Sequence, residues 1–279
     1  MQTGQINVGY TTETFEHKID WKQAATYALG IGATRDELDY LYEARGPKVF
    51  PTFGVIPAYA PAIEIASRLE CSFKSLVHGA QSIVVHQPIP AEGVLKTTAT
   101  FEGLYDLKRM AQLVVSTRTE MDGIHLFDTS WMLILFDRGN FGGPRPPKSE
   151  KVEPQKDQAP DFECELRTSP EQAILYRLSG DTNPLHIDAE FANNLGFSQG
   201  PILHGLCTFG FTGRAVINQF LGGDGHRLRE LHAQFKKPVW PGEILKIKGY
   251  NVGAERVALD VNVESRNESV LGNAWAKFA

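Results

Sequence analysis

Cysteine is scarce: Cys71, Cys164 and Cys207 are the three in 279 residues, an odd number with no Cys-x-x-Cys pair. That excludes a disulfide framework and points to reduced thiols in an intracellular compartment. Long apolar runs are missing too. The longest, Trp131 to Phe136, falls far below the ~20 residues a membrane-spanning helix needs, so no membrane span is expected. No basic run stands out and the net charge is -5, which gives nucleic acid no foothold. The first twenty residues lack an apolar stretch, and the first arginine is Arg35. No secretory or mitochondrial presequence is therefore expected. The final Lys277-Phe278-Ala279 does not read as a peroxisomal tripeptide, which would leave the protein cytoplasmic.

What is present is ordinary globular material, 42% hydrophobic and 22% charged, enough for two compact units. Gln23, Ala24, Tyr27 and Leu29 recur as Gln172, Ala173, Tyr176 and Leu178, at an offset of 149. At 150, Pro51 meets Pro201, and Pro88-Ile89 meets Pro238-Val239. Matches at nearly one offset indicate a duplicated unit. Each half reads as a helix, an irregular corner, a second helix and alternating strands. The strands are expected at 82–85, 94–101, 113–119 and 130–136, then at 231–235, 244–252, 257–263 and 273–278. The proline-rich, charged stretch 143–163 reads as an extended linker without a core of its own. The expected division is 1–142, a linker at 143–163, and 164–279.

One helix wrapped by a long antiparallel sheet, twice over, is an α+β arrangement. The second half's enclosed helix should run from about Gly205 through Leu221, apolar on most sides. Its counterpart near Val55 carries Pro57 and Pro61, each costing ~3 kcal/mol in a helix interior. That helix is expected to be short or displaced, leaving room for an apolar ligand.

The organising stretch is YRLSGDTNPLHIDAEFANNLGFSQGPILHG, from Tyr176 to Gly205. Ser179-Gly180 stops a helix, and Asp181-Thr182-Asn183-Pro184-Leu185-His186 makes a polar corner. Asn183 before a proline is biased out of the helical region. The first half has Gly32 opposite Asp181 and nothing matching Asn183 or His186, so folding does not demand the corner. Asp181 and His186 are the candidate acid/base pair, with Asn183 orienting the water or the carboxylate. Gly205 opens the long helix, whose first amides lack partners and suit an oxygen becoming negative. Together these residues describe addition or removal of water across a carbonyl-activated double bond. Asp-x-Asn-Pro alone is commonly turn chemistry, and His204-Gly205 alone is no more than a helix start. His186, Asp188 and His204 match no metal motif, and Ser179 lacks a nucleophile elbow. No metal is expected.

YRLSGDTNPLHID followed by GPILHGL resembles the signature of the hydratase 2, or MaoC-like, enoyl-CoA hydratases. YALGIGA, FPTFGVI, LVHGAQSIVVHQPIP and FDRGNFGG extend the resemblance to the eukaryotic type over nearly the whole chain. It implies a double hot-dog fold whose degenerate first half accommodates the acyl chain. It also implies hydration of trans-2-enoyl-CoA to (3R)-hydroxyacyl-CoA in β-oxidation, with no cofactor beyond the CoA of the substrate. Asp181 and His186 would activate water, Asn183 would position it and the Gly205 amide would hold the thioester oxygen. Substrate would touch His78, Gly79, Lys108, Phe235 and the corner residues Thr182, Pro184 and Leu185. A peroxisomal homodimer is implied as well. Ala80 stands where many relatives carry Glu, and Ala189 where the motif has Pro. A non-catalytic acyl-CoA-binding hot-dog protein and a hot-dog thioesterase are the alternatives.

Overall fold

The computed structural model describes residues 6–72, 74–253 and 255–279. Met1–Gln5, where the stretch searched for a presequence begins, lie outside the described residues. The first half contains β1 (Phe15–Ile19), α1 (Trp21–Gly30), α2 (Val55–Arg68), β2 (Leu76–Val85), β3 (Gly93–Asp106), β4 (Ala111–Met121) and β5 (Ile124–Leu135). The second contains β6 (Phe162–Arg167), α3 (Gln172–Arg177), α4 (Ala189–Asn194), α5 (Gly205–Phe220), β7 (Leu228–Phe235), β8 (Ile244–Asn251), β9 (Arg256–Val263) and β10 (Glu268–Phe278).

The strands form a ten-stranded sheet in the order β1-β3-β4-β5-β2-β7-β10-β9-β8-β6, a double hot-dog. From each outer edge inward, the halves follow the same path: first, third, fourth, fifth, second strand. The duplication legible in the sequence is thus written into the topology. The two sheets expected are joined, because β2 and β7 pair from Ala80↔Gln234 to Val84↔Glu230. Each would otherwise leave a row of unpaired backbone groups. At the offset of 150, Ser82 corresponds to His232, and these two residues face each other across the junction. The twofold relating the halves passes between them, where Ser82 Oγ and His232 Nδ1 lie 2.7 Å apart.

β1 and β6 were not foreseen. Both are short edge strands with a half-exposed, charge-bearing pattern (FEHKI and FECELR). β1 alternates weakly, whereas in β6 Phe162, Cys164 and Leu166 alternate with charged residues and pack against the core, in a segment whose start fell inside the stretch read as a linker. The expectation for α2 needs correcting as well. It runs 14 residues with Pro61 inside it and Pro57 in its first turn. A first-turn proline loses no intrahelical bond. Ala58, Ala62 and Ile65 are fully buried, so burial of one face holds the helix through Pro61.

α5 is buried on nearly every side, and Gly210 and Gly213 let the first half approach it. A Cβ at Gly210 would collide with Ile31, and one at Gly213 would lie 2.7 Å from Thr52. The main apolar core is a cluster spanning both halves. Polar ties reinforce it: Arg214 Nε donates to Glu37 at 2.8 Å and Asn218 Nδ2 at 2.8 Å. Gln172 Nε2 donates to the Gly30 carbonyl at the end of α1, at 2.7 Å. Between the halves, residues 143–161 carry no helix or strand, yet they do not hang free. Val152 is buried with Tyr250, Ala258 and Trp275, and its amide donates to Asn273 Oδ1 at 3.1 Å.

Candidate active site

The corner after α3 folds through its own side chains. Asn183 Oδ1 accepts from the Leu185 amide at 3.0 Å, capping the 3-10 turn Pro184–His186. The Asn183 amide donates to Asp181 Oδ1 at 3.2 Å. Asp188 caps α4 by accepting from the Phe191 amide at 2.9 Å. These are turn and cap bonds of the kind Asp and Asn make, and they aim Asp181 and His186 at one space.

His186 Nδ1 lies 2.8 Å from the Ile202 carbonyl. A carbonyl only accepts, so Nδ1 carries the proton and Nε2 of the neutral ring presents its lone pair. His204 Nε2 donates to the Asp181 carbonyl at 3.2 Å, and the two imidazoles stack with centroids 3.7 Å apart. One carboxylate oxygen of Asp181 and one ring nitrogen each of His186 and His204 lie within 4.8 Å of one another. That spacing leaves room for a water between acid and base. Burial lowers the His186 pKa against the pull of Asp181, which favours the neutral ring. Burial, with His186 beside it, takes His204 down to about 2.

The first half reaches into this group. Tyr59 on α2 donates its hydroxyl to Asp181 Oδ1 at 3.3 Å, and burial together with Asp181 pushes the phenol pKa well up. Tyr59 meets Trp131 edge-on at 6.1 Å, and Trp131 stacks on His78 at 4.9 Å. His78 then meets Phe235 at 4.9 Å. The Phe235 ring lies against Gly205, where a Cβ would come within 3.2 Å. An unbroken aromatic chain therefore links the carboxylate to the start of α5. Gly79 is the extra residue of a bulge between His78↔Leu133 and Ala80↔Met132, which turns His78 relative to the strand behind it. Burial lowers the His78 pKa to about 4.

Of the residues singled out from sequence, Asp181, Asn183, His186, Gly205, His78, Gly79 and Phe235 come together. Thr182 and Pro184 are exposed on the corner and Leu185 is half-buried. Lys108 lies apart, exposed in the β3–β4 turn, its amide donating to Asp106 at 2.7 Å. His204, Tyr59 and Trp131 were not anticipated. His204 was read only as a helix start, and Tyr59 sits in no motif, 122 positions before its partner. Asp181, His186 and His204 are also the residues here that could hold a metal. Two of their ring nitrogens are committed to carbonyls, which leaves His186 Nε2 and His204 Nδ1.

A sheet of two like halves over two helices, with a carboxylate and an imidazole at the second helix's start, defines a double hot-dog dehydratase. Residues 151–273 match the MaoC like domain, and residues 17–137 match the MFE-2 hydratase 2 N-terminal domain. The chain is 31% identical over 277 residues to a probable enoyl-CoA hydratase 2 of Dictyostelium discoideum, covering 96% of this chain and 94% of that one. It is 36% identical over 274 residues to the peroxisomal enoyl-CoA hydratase 2 of Arabidopsis thaliana, covering 90% and 87%. A MaoC-like dehydratase structure from Phytophthora capsici superposes with a TM-score of 0.86 at 27% identity, over 98% of each chain. The chain belongs to the MaoC-like dehydratase family, in its two-part hydratase 2 form.

Proposed function

We propose that this protein adds water reversibly to trans-2-enoyl-CoA, giving (3R)-3-hydroxyacyl-CoA. The observation that carries the residue roles is the convergence of Asp181 and His186 at the start of α5. A water held between them loses a proton to His186 Nε2 as its oxygen bonds C3 of the enoyl group. Asp181 orients that water, held in turn by Tyr59; Asn183 shapes the corner. Negative charge developing on the thioester oxygen faces the Gly205 amide, which has no intrahelical acceptor. The proton then passes to C2. One O–H bond and the C2=C3 π bond break, one C–O and one C–H bond form, and there is no net oxidation or reduction, so this chemistry requires no redox cofactor.

His78, Gly79, Phe235, Thr182, Pro184 and Leu185 are proposed to touch the substrate. The acyl chain is assigned to the first-half side. Ile56 lies beside Gly180 and lines a hollow of about 70 Å³ with Phe53 and Leu178. His186 also opens on a cleft of about 430 Å³, lined by Ile174, Ile187 and Trp240. The exposed apolar side chains of Ile174, Leu178 and Ile187 support a homodimer, which light scattering tests. Names of relatives support a role in peroxisomal β-oxidation, which localisation of a tagged chain tests.

The deciding experiment incubates the protein with trans-2-enoyl-CoAs of several lengths and resolves the product on a chiral column. The (3R) product is expected; the (3S) product or release of free CoA thiol contradicts the reading. Ile56→Trp should depress turnover of long chains more than short ones, read as kcat/KM against chain length. An equal effect at every length removes the acyl assignment.

A further inference from the structure

The opposite end of β2 carries a second cluster that hydration does not use. The amides of His86 and Gln87 both donate to the Leu126 carbonyl, at 2.8 and 3.0 Å, pinning the exit of β2 to β5. On β5 the register passes from Thr119↔Phe127 to Glu120↔His125, so Leu126 is an extra, bulged residue. Two residues three apart on a regular strand point to opposite faces. The bulge cancels that: Leu126 and Phe127 are both buried, while His125 and Asp128 share the outer face. His86 Nε2 lies 2.7 Å from Asp128 Oδ2, and His125 Nε2 lies 2.8 Å from Asp128 Oδ1. The two rings are 4.2 Å apart. One carboxylate thus has an imidazole nitrogen on each oxygen, with a donor atom from each residue within 4.8 Å of the others.

We propose that His86, His125 and Asp128 bind a divalent late first-row metal ion of the zinc class. Both hydrogen bonds require a proton on Nε2; one dication between the three residues replaces both protons and takes the freed lone pairs. Two imidazoles with one carboxylate suit zinc, whereas magnesium and calcium take oxygen ligands. Three protein donors leave a fourth, tetrahedral position for water. Metal–ligand distances of ~2.0–2.2 Å need the rings to move back by a fraction of an ångström, which the exposed His86 allows. Eight residues of extended strand, ~26 Å, separate His86 from His78, so the ion is a clip between β2 and β5 and takes no part in hydration.

Zinc chloride titrated into chelator-stripped full-length protein tests this, read by equilibrium dialysis and thermal melting. One equivalent taken up with a raised Tm is expected. His125→Ala and Asp128→Asn should each weaken uptake roughly tenfold or more while melting like wild type without zinc and keeping hydratase activity. His86→Ala, at an exposed position, gives an independent reading. No uptake by wild type overturns the proposal, as does uptake unchanged in all three variants. Uptake abolished instead by His204→Ala also overturns it, because it places the ion at the active site.

Discussion

In the proposed hydration, Asp181 and His186 divide the work by their hydrogen bonds. The Ile202 carbonyl accepts a hydrogen bond from His186 Nδ1–H and leaves the Nε2 lone pair available as a base, while the Tyr59 hydroxyl donates to one oxygen of Asp181. Asp181→Asn and His186→Ala should each lower kcat by two to four orders of magnitude, the range of general acid–base catalysis, with circular dichroism unchanged. Near-native turnover in either variant removes the assigned roles. Tyr59→Phe deletes only the orienting bond, so kcat should fall roughly tenfold with little change in KM, as for loss of a hydrogen bond to a charged group. The corner was legible because Asp181 and His186 stand five apart just after Gly180, with Asn183-Pro184 between them. Tyr59 was not, because only the folded chain brings α2 to the corner. His204 was discounted because a histidine before a glycine carries no signal until its ring is seen stacked on His186.

Elements of one half are completed by the other. The loop after α1 presents Glu37 to Arg214 and Asn218 on α5, with both charged side chains largely buried. Arg214→Met leaves the Glu37 carboxylate without its cation and should cost about 3–5 kcal/mol, as broken buried pairs do; urea unfolding measures it. A loss under about 1 kcal/mol would show that water reaches this pair freely. α2 shows where reading by element went astray. Pro57 and Pro61 lower local propensity, but the buried face of Ala58, Ala62 and Ile65 outweighs it. β1 escaped notice for the converse reason, since an edge strand needs little apolar alternation once a neighbour supplies its hydrogen bonds. β6, whose Phe162, Cys164 and Leu166 do alternate, was passed over because its start fell inside the stretch read as a linker.

At the scale of the molecule, one core and one sheet predict one unfolding transition. Fluorescence and circular dichroism should give coincident urea curves, and residues 164–279 alone should not form a stable fold. Two separated transitions would show that the halves are independent. Stability should also fall on acidification. Burial lowers the imidazole pKa values of His78 and His204 to about 4 and about 2, so the unfolded chain binds their protons more readily. Their contribution is complete above pH ~6.5 and is lost as pH drops below it, by up to about 1.4 kcal/mol per pH unit for each group. Glu37 adds to the loss at lower pH. Burial raises its carboxyl pKa, but the bonds from Arg214 and Asn218 outweigh that and hold it below the usual range. Thermal melts across pH 4–8 test the trend, and His78→Phe should flatten it.

The Ser82–His232 pair carries a historical consequence. Two separate, identical subunits must place the same residue on either side of their symmetry axis. A single gene encoding both copies is released from that rule, and here the axis holds a serine against a histidine. The same release lets Gly32 lie under Phe211 where the other copy keeps Asp181. On the proposed reading, fusion turned an enforced likeness into a division of labour, one copy keeping the acid/base pair and the other setting Tyr59 beside it.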